Sequence, residues 1–260
     1  MGPMTAIPEN LVSLKVDSSD HVAEVTLLGP GKGNAMGPDF WRELPLVFGA
    51  LDADPAVRAV VLTGSGPHFS YGLDLPAMAP KLFGDGAAQG PRLLAEIHIL
   101  QDSVTAVAAC RKPVIAAADI RLASADAKFS VREVKLAIVA DLGSLQRLAG
   151  IIGEGHLREL AFTGKDVDAT HAARIGLVNT VYPDQDSTLA AARDLAAEIA
   201  SNSPLAVQGV KDVLNSDRES TVAAGLRYVA ARNATVLPSK DLTEAVQAFL
   251  ERRAPTFTGE

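Results

Sequence analysis

The chain has 260 residues, 48% hydrophobic and 21% charged, a balance that excludes a disordered chain and suits one large domain or one core with a smaller appendage. Acidic residues outnumber basic ones by 31 to 24, so the formal charge is −7 and no global electrostatic reason remains to bind nucleic acid or an anionic membrane. Cys110 is the single cysteine, which excludes an intramolecular disulfide, and no apolar run approaches the roughly 20 residues that span a bilayer. With no signal-peptide pattern in residues 1–10 and no peroxisomal signal at residues 257–260, the expectation is a soluble, cytoplasmic protein.

Residues 11–16 and 22–28 are short β-type runs joined by a polar turn at 17–20, which predicts a hairpin. A glycine-rich stretch follows at 29–34. Phe40, Leu44, Phe48 and Leu51 then recur at helical spacing, with Pro45 inside the run as a kink or as the true start. Residues 57–63 read as a buried strand. A second helix is predicted over 91–111, with Leu93, Ile97, Leu100, Val104 and Val107 as its stripe and Lys112-Pro113 as its stop. Residues 114–118 read as a strand, and 120–123 and 128–131 as extended. Helices are expected over 145–152 and 156–163, then a short one capped by Asp168 and ended by Gly176. Residues 177–182 form the last predicted strand. Beyond them come helices over 188–200, from Ser203-Pro204 onward, over 221–234 and over 242–252. Strands alternating with helices up to Tyr182, then helix alone, argue an α/β layered core with a helical tail.

Three motif readings fail on spacing. Gly31-Lys32-Gly33-Asn34-Ala35-Met36-Gly37 places its last glycine one residue too far for a dinucleotide loop and does not fit a P-loop. His68-Phe69-Ser70-Tyr71-Gly72 lacks the first glycine of a nucleophile elbow. The five histidines are scattered, with no metal-ligand spacing. Glu133 and Asp141 are more informative. They stand eight residues apart around the apolar run 136–140, and Asp141 meets Gly143. A carboxylate at such a turn is placed for partial burial, which raises its pKa and suits it to proton transfer. The structural alternatives are that Glu133 pairs with a neighbouring cation and that Asp141 caps a helix starting near Ser144.

The run from Lys112-Pro113-Val114-Ile115 through Asp119-Ile120-Arg121, Asp126-Ala127-Lys128-Phe129, Arg132-Glu133-Val134-Lys135-Leu136 and Leu145-Gln146-Arg147-Leu148 resembles the crotonase (enoyl-CoA hydratase/isomerase) superfamily. Gly33-Asn34-Ala35-Met36, Phe69-Ser70-Tyr71-Gly72-Leu73-Asp74-Leu75, Phe162-Thr163-Gly164 and residues 173–178 extend the likeness over nearly the whole chain. The resemblance implies an α/β fold, a crotonase-like spiral of ββα units over residues 1–200 with a helical C-terminal oligomerisation region at 201–260. It implies acyl-CoA thioester substrates and a homotrimer or hexamer, with no cofactor beyond the CoA of the substrate. By position, Leu73 supplies one oxyanion N–H, and Tyr71, Gly72, Asp74 and Leu75 line the same CoA loop. Tyr71 is bulkier than the residue usual there. Glu133 matches a catalytic glutamate. Ala140-Asp141-Leu142-Gly143-Ser144 with Leu145-Gln146-Arg147-Leu148 resembles the Δ3,5-Δ2,4-dienoyl-CoA isomerase branch, in which this aspartate and the glutamate eight residues earlier shuttle a proton along the acyl chain. An enoyl-CoA hydratase using Glu133 and a water is the alternative, and a CoA-binding or oligomer-partner protein without turnover is a second.

One departure stands out. The family places a glycine-rich turn, which carries the second oxyanion N–H, and a buried helix, which carries a first catalytic acid, after the strand at 114–117. Here Ala117-Ala118-Asp119 runs straight through. Either the molecule carries a segment that this sequence lacks, or the deletion is genuine and the oxyanion hole is half built. A parallel connection needs roughly a dozen residues, which favours the first.

Overall fold

The computed structural model describes residues 6–29, 32–82, 89–115, 118–136, 138–217 and 240–260. The predicted helix at 221–234, residues 30–31 of the glycine stretch, Ala137 and the junction residues Ala116 and Ala117 lie outside the described residues.

The hairpin forms, with β1 (Leu14–Ser19) antiparallel to β2 (Val22–Leu27). Its turn is shorter than the sequence suggests. Only Asp20 and His21 make it, at φ 49° and 66°, the paired left-handed residues of a tight hairpin turn. Residues 17–19 belong to β1 and are polar because this edge strand faces solvent. β3 (Ala59–Gly64) lies parallel to β2, and β4 (Val114–Ile115) lies parallel to β3, giving the order β1-β2-β3-β4.

The apolar run of β3 follows from cover on both faces. Val60 and Leu62 join one core with α1 (Pro38–Ala53) and α3 (Gln89–Ala109). Ala59 and Val61 turn to the other face and meet Ala192 and Ala196 of α8 (Gln185–Ala200). α1 starts with Pro38 at its first turn and runs through Pro45, so Pro45 does not mark the start. A proline there has no N–H for the Trp41 carbonyl, four residues back. The buried Ser103 hydroxyl of α3, 2.7 Å away, donates to that carbonyl instead. α2 (Leu75–Leu82) was not foreseen from the sequence.

A second core gathers under β5 (Leu122–Ser124), parallel to β8 (Thr180–Tyr182), and β6 (Lys128–Phe129), antiparallel to β7 (Val167–Asp168). The predicted helix at 145–152 is two short turns, α4 (Ser144–Arg147) and α5 (Ala149–Ile152), followed by α6 (Glu154–Thr163). Asp168 caps α7 (Ala169–Arg174) as expected, its carboxylate accepting the His171 N–H at 2.7 Å. Asp184 caps α8 in the same way, so that helix begins three residues earlier than predicted. α9 (Pro204–Asp217) opens at Ser203-Pro204, and α10 (Lys240–Glu251) ends the helical tail. Among the described residues no helix is long and apolar enough to cross a membrane.

Among the described residues the four-stranded sheet ends at β4. The strand read over 114–118 is described only as Val114–Ile115, and Ile120 touches it through a single parallel bridge to Ile115. The N–H groups of Asp119 and Ile120 both reach the Val114 carbonyl, at 3.0 and 3.4 Å. The Asp119 carboxylate accepts the Val114 N–H at 2.8 Å and the ammonium of the buried Lys211 at 2.6 Å. Lys211 also donates to the Lys112 carbonyl at 2.9 Å, so α9 clasps the end of β4. The hop is too short to carry a parallel ladder onward, and β5 pairs with β8 instead.

Candidate active site

Two loops interlock beside the first core, and Asn34 joins them. Its side chain is 5% exposed, and its amide donates to the carbonyls of Ser65 at 2.9 Å and His68 at 2.7 Å, with Phe69 at 3.2 Å. Its own carbonyl accepts the Ser65 hydroxyl. The Ser70 hydroxyl donates to the Asn34 main-chain carbonyl and accepts the Gly72 N–H. The Tyr71 N–H bonds the Gly33 carbonyl at 2.8 Å.

This lacing sets the direction of Leu73. Met36 and Leu73 form a parallel bridge whose bonds run from the Met36 N–H to the Gly72 carbonyl and from the Asp74 N–H to the Met36 carbonyl. In that pattern the N–H of Leu73 itself points to the opposite side. Among the described residues it has no acceptor. Asp74 and Leu75 have structural work as well, since Asp74 accepts the Ala77 N–H at 3.1 Å and caps α2, which Leu75 opens. An aspartate before an apolar run was the signal for this missed helix. Tyr71 is 57% exposed. Its ring lies on Gly33, where a Cβ would come within 2.6 Å of it, and its hydroxyl stands 3.1 Å from His68 Nε2.

Glu133 opens a short 3-10 helix, Glu133–Leu136, and is half-buried. The cation beside it, Arg132, is spent on Asp166 and holds that carboxyl below its ordinary pKa. Asp141 is half-buried too, and α4 starts from Gly143 with no side-chain cap. Both structural alternatives are therefore unfilled. Among the described residues neither carboxyl has a hydrogen-bond donor or a cation. Val131 and Ala140 are buried together in the second core, so the intervening loop returns to one place. Leu142 packs on the first core, as does Leu73, and Asp141 thus sits at the seam between the two. Gln101 and Arg147 hold this turn from α3 and α4, and sequence reasoning gave no role to either. Among the described residues no cluster of three or more metal-ligating side chains exists.

Residues 17–260 match the family described as enoyl-CoA hydratase/isomerase, and the chain belongs to that family. The mitochondrial Delta(3,5)-Delta(2,4)-dienoyl-CoA isomerase of Dictyostelium discoideum is 43% identical over 263 positions, which cover 94% of this chain and 90% of that protein. The peroxisomal protein of the same name from Arabidopsis thaliana is 37% identical, covering 96% and 97%. The crystal structure of an enoyl-CoA hydratase from Bacillus anthracis superposes with a TM-score of 0.88 at 28% identity, covering 96% of this chain and 100% of that one. The expected α/β crotonase fold is thereby established. The cytoplasmic expectation is overturned, because these relatives are mitochondrial and peroxisomal and a low cysteine count fits those compartments equally. Since 94% of 260 residues is about 244, about 19 of the 263 aligned positions have no counterpart in this chain.

Proposed function

We propose that this protein converts a 3,5-dienoyl-CoA thioester to its 2,4-dienoyl isomer, with Glu133 and Asp141 as the two proton carriers. One carboxylate removes a proton from C2, and the electron pair spreads through the diene onto the thioester oxygen. The other carboxyl returns a proton at C6, leaving double bonds at C2 and C4 with no net loss of atoms. The reaction itself calls for no metal or redox group, and CoA enters with the substrate. The Leu73 N–H donates to the developing oxyanion, and the loop of Tyr71, Gly72, Asp74 and Leu75 receives the CoA. The subunits work as a homotrimer or hexamer.

The observation that carries this reading is Asp141, half-buried at the seam of two cores with its carboxyl free of protein partners among the described residues. A hydratase using Glu133 and a water has no need of it. Asp141→Asn is expected to lower diene isomerisation by at least about 10²-fold, the scale of a lost general acid or base. Unchanged turnover would sink the isomerase reading. The uninterrupted run Ala117-Ala118-Asp119 favours a second reading, in which the chain binds acyl-CoA with little or no turnover. A missing oxyanion donor typically costs about 10²–10³-fold, so slow but measurable turnover is expected.

A further inference from the structure

The turn that carries Asp141 is gripped from one side by α3. Gln101 Nε2 donates to the Asp141 main-chain carbonyl at 2.6 Å. One helical turn on, Thr105 Oγ1 accepts Arg147 Nη2 at 3.0 Å, and Arg147 Nη1 reaches the Leu142 carbonyl at 3.3 Å. Gly143 has φ 98°, and its missing Cβ leaves the space that the Arg147 guanidinium occupies. The Arg147 N–H closes the turn on the Gly143 carbonyl at 2.9 Å. Three successive carbonyls, of Asp141, Leu142 and Gly143, are thus tied by side chain or backbone, while the Asp141 carboxyl is tied to nothing among the described residues. A proton carrier needs this combination. Its location must be fixed, and its proton must be free to move.

We propose that Gln101 and Arg147, with Thr105 as the anchor of Arg147, are positioning residues for Asp141, fixing its backbone so that the carboxyl meets the acyl chain in one place. The inference rests on the isomerase reading of Asp141. Neither residue is asked to touch substrate.

The test follows the 2,4-dienoyl product formed from a 3,5-dienoyl-CoA by the full chain. Gln101→Met keeps the side-chain length and removes the donor. It is expected to lower kcat about 10- to 100-fold, the cost of a misplacement near 1 Å, while KM moves less than about threefold. A wild-type kcat, or a loss seen only in KM, overturns the proposal. Should Gln101→Met fail to fold, Thr105→Val removes only the anchor of Arg147 at an exposed site. It is expected to lower kcat about 3- to 10-fold with KM kept, and an unchanged kcat there overturns the proposal equally. Asp141→Asn in the same assay separates the two claims. Full activity in that variant, or an inert wild type, removes the isomerase reading and this inference with it. An inactive Asp141→Asn beside a fully active Gln101→Met removes the positioning inference alone.

Discussion

Asn34 does the most per atom among the residues of the site. It holds carbonyls of the 65–69 loop in a place 95% shielded from solvent, at φ 52°, a left-handed conformation that asparagine tolerates. Asn34→Ala removes the donor that ties these partly buried carbonyls together and is expected to lower Tm by several °C for a chain of this size. The Leu73 N–H loses its direction at the same time, so turnover should fall by more than the loss of folded protein explains. A variant with native Tm and native turnover would show that the loop is held otherwise. In the sequence, Asn34 reads as part of a glycine-rich turn and of a family-like loop, with no sign of what it holds. Its partners lie 31 to 35 residues away, and no local period encodes them. Glu133 and Asp141 were marked as candidates because apolar spacing and family likeness both pointed to them. Gln101 was not, because a polar residue on a half-exposed helix face is ordinary until its partner is known.

At the scale of elements, the apolar periods located α1, α3 and β3, and only their ends moved. The ends moved because capping and turn chemistry set them, as Asp184 does for α8 and as Asp20 and His21 do for the hairpin. α1 shows what a period hides. It passes through Pro45 with its stripe intact, and the cost reappears as an orphaned Trp41 carbonyl that α3 must serve. Ser103→Ala removes that donor from a site 1% exposed and is expected to cost about 1–3 kcal/mol. In a Pro45→Ala background the helix supplies its own N–H to Trp41, so most of that cost should vanish. A double-mutant cycle in urea measures the coupling. Strict additivity would mean that Ser103 serves only its own helix, through the Ile99 carbonyl 2.8 Å away.

For the molecule as a whole, the question is how two cores stay joined where Ala117-Ala118-Asp119 runs straight through. The sequence located the departure but not its repair, since the Asp119–Lys211 clasp spans 92 residues. That clasp ties α9 to β4, and the Asp119 carboxylate satisfies the Val114 N–H. Lys211 is buried and Asp119 only partly so, and removing either partner leaves the other without this ion pair. Intact mass separates the two origins of the junction. A value of 27.1 kDa makes it genuine, and an excess above roughly 1 kDa supplies the crossover that a parallel connection needs. For the 27.1 kDa species, the cores and the Asp141 turn are in place, and on the proposed mechanism what is lacking is an oxyanion donor with its helix. On the proposed mechanism, inserting a glycine-rich turn and a helix, roughly a dozen residues or more, between Ala117 and Ala118 is expected to raise kcat about 10²–10³-fold. The gain should disappear when Asp141→Asn is added, because on the proposed mechanism the new donor stabilises an enolate that Glu133 and Asp141 make and quench. An insertion that restores the length and folds, yet leaves kcat where it was, would show that the shortened chain lost nothing catalytic at the junction.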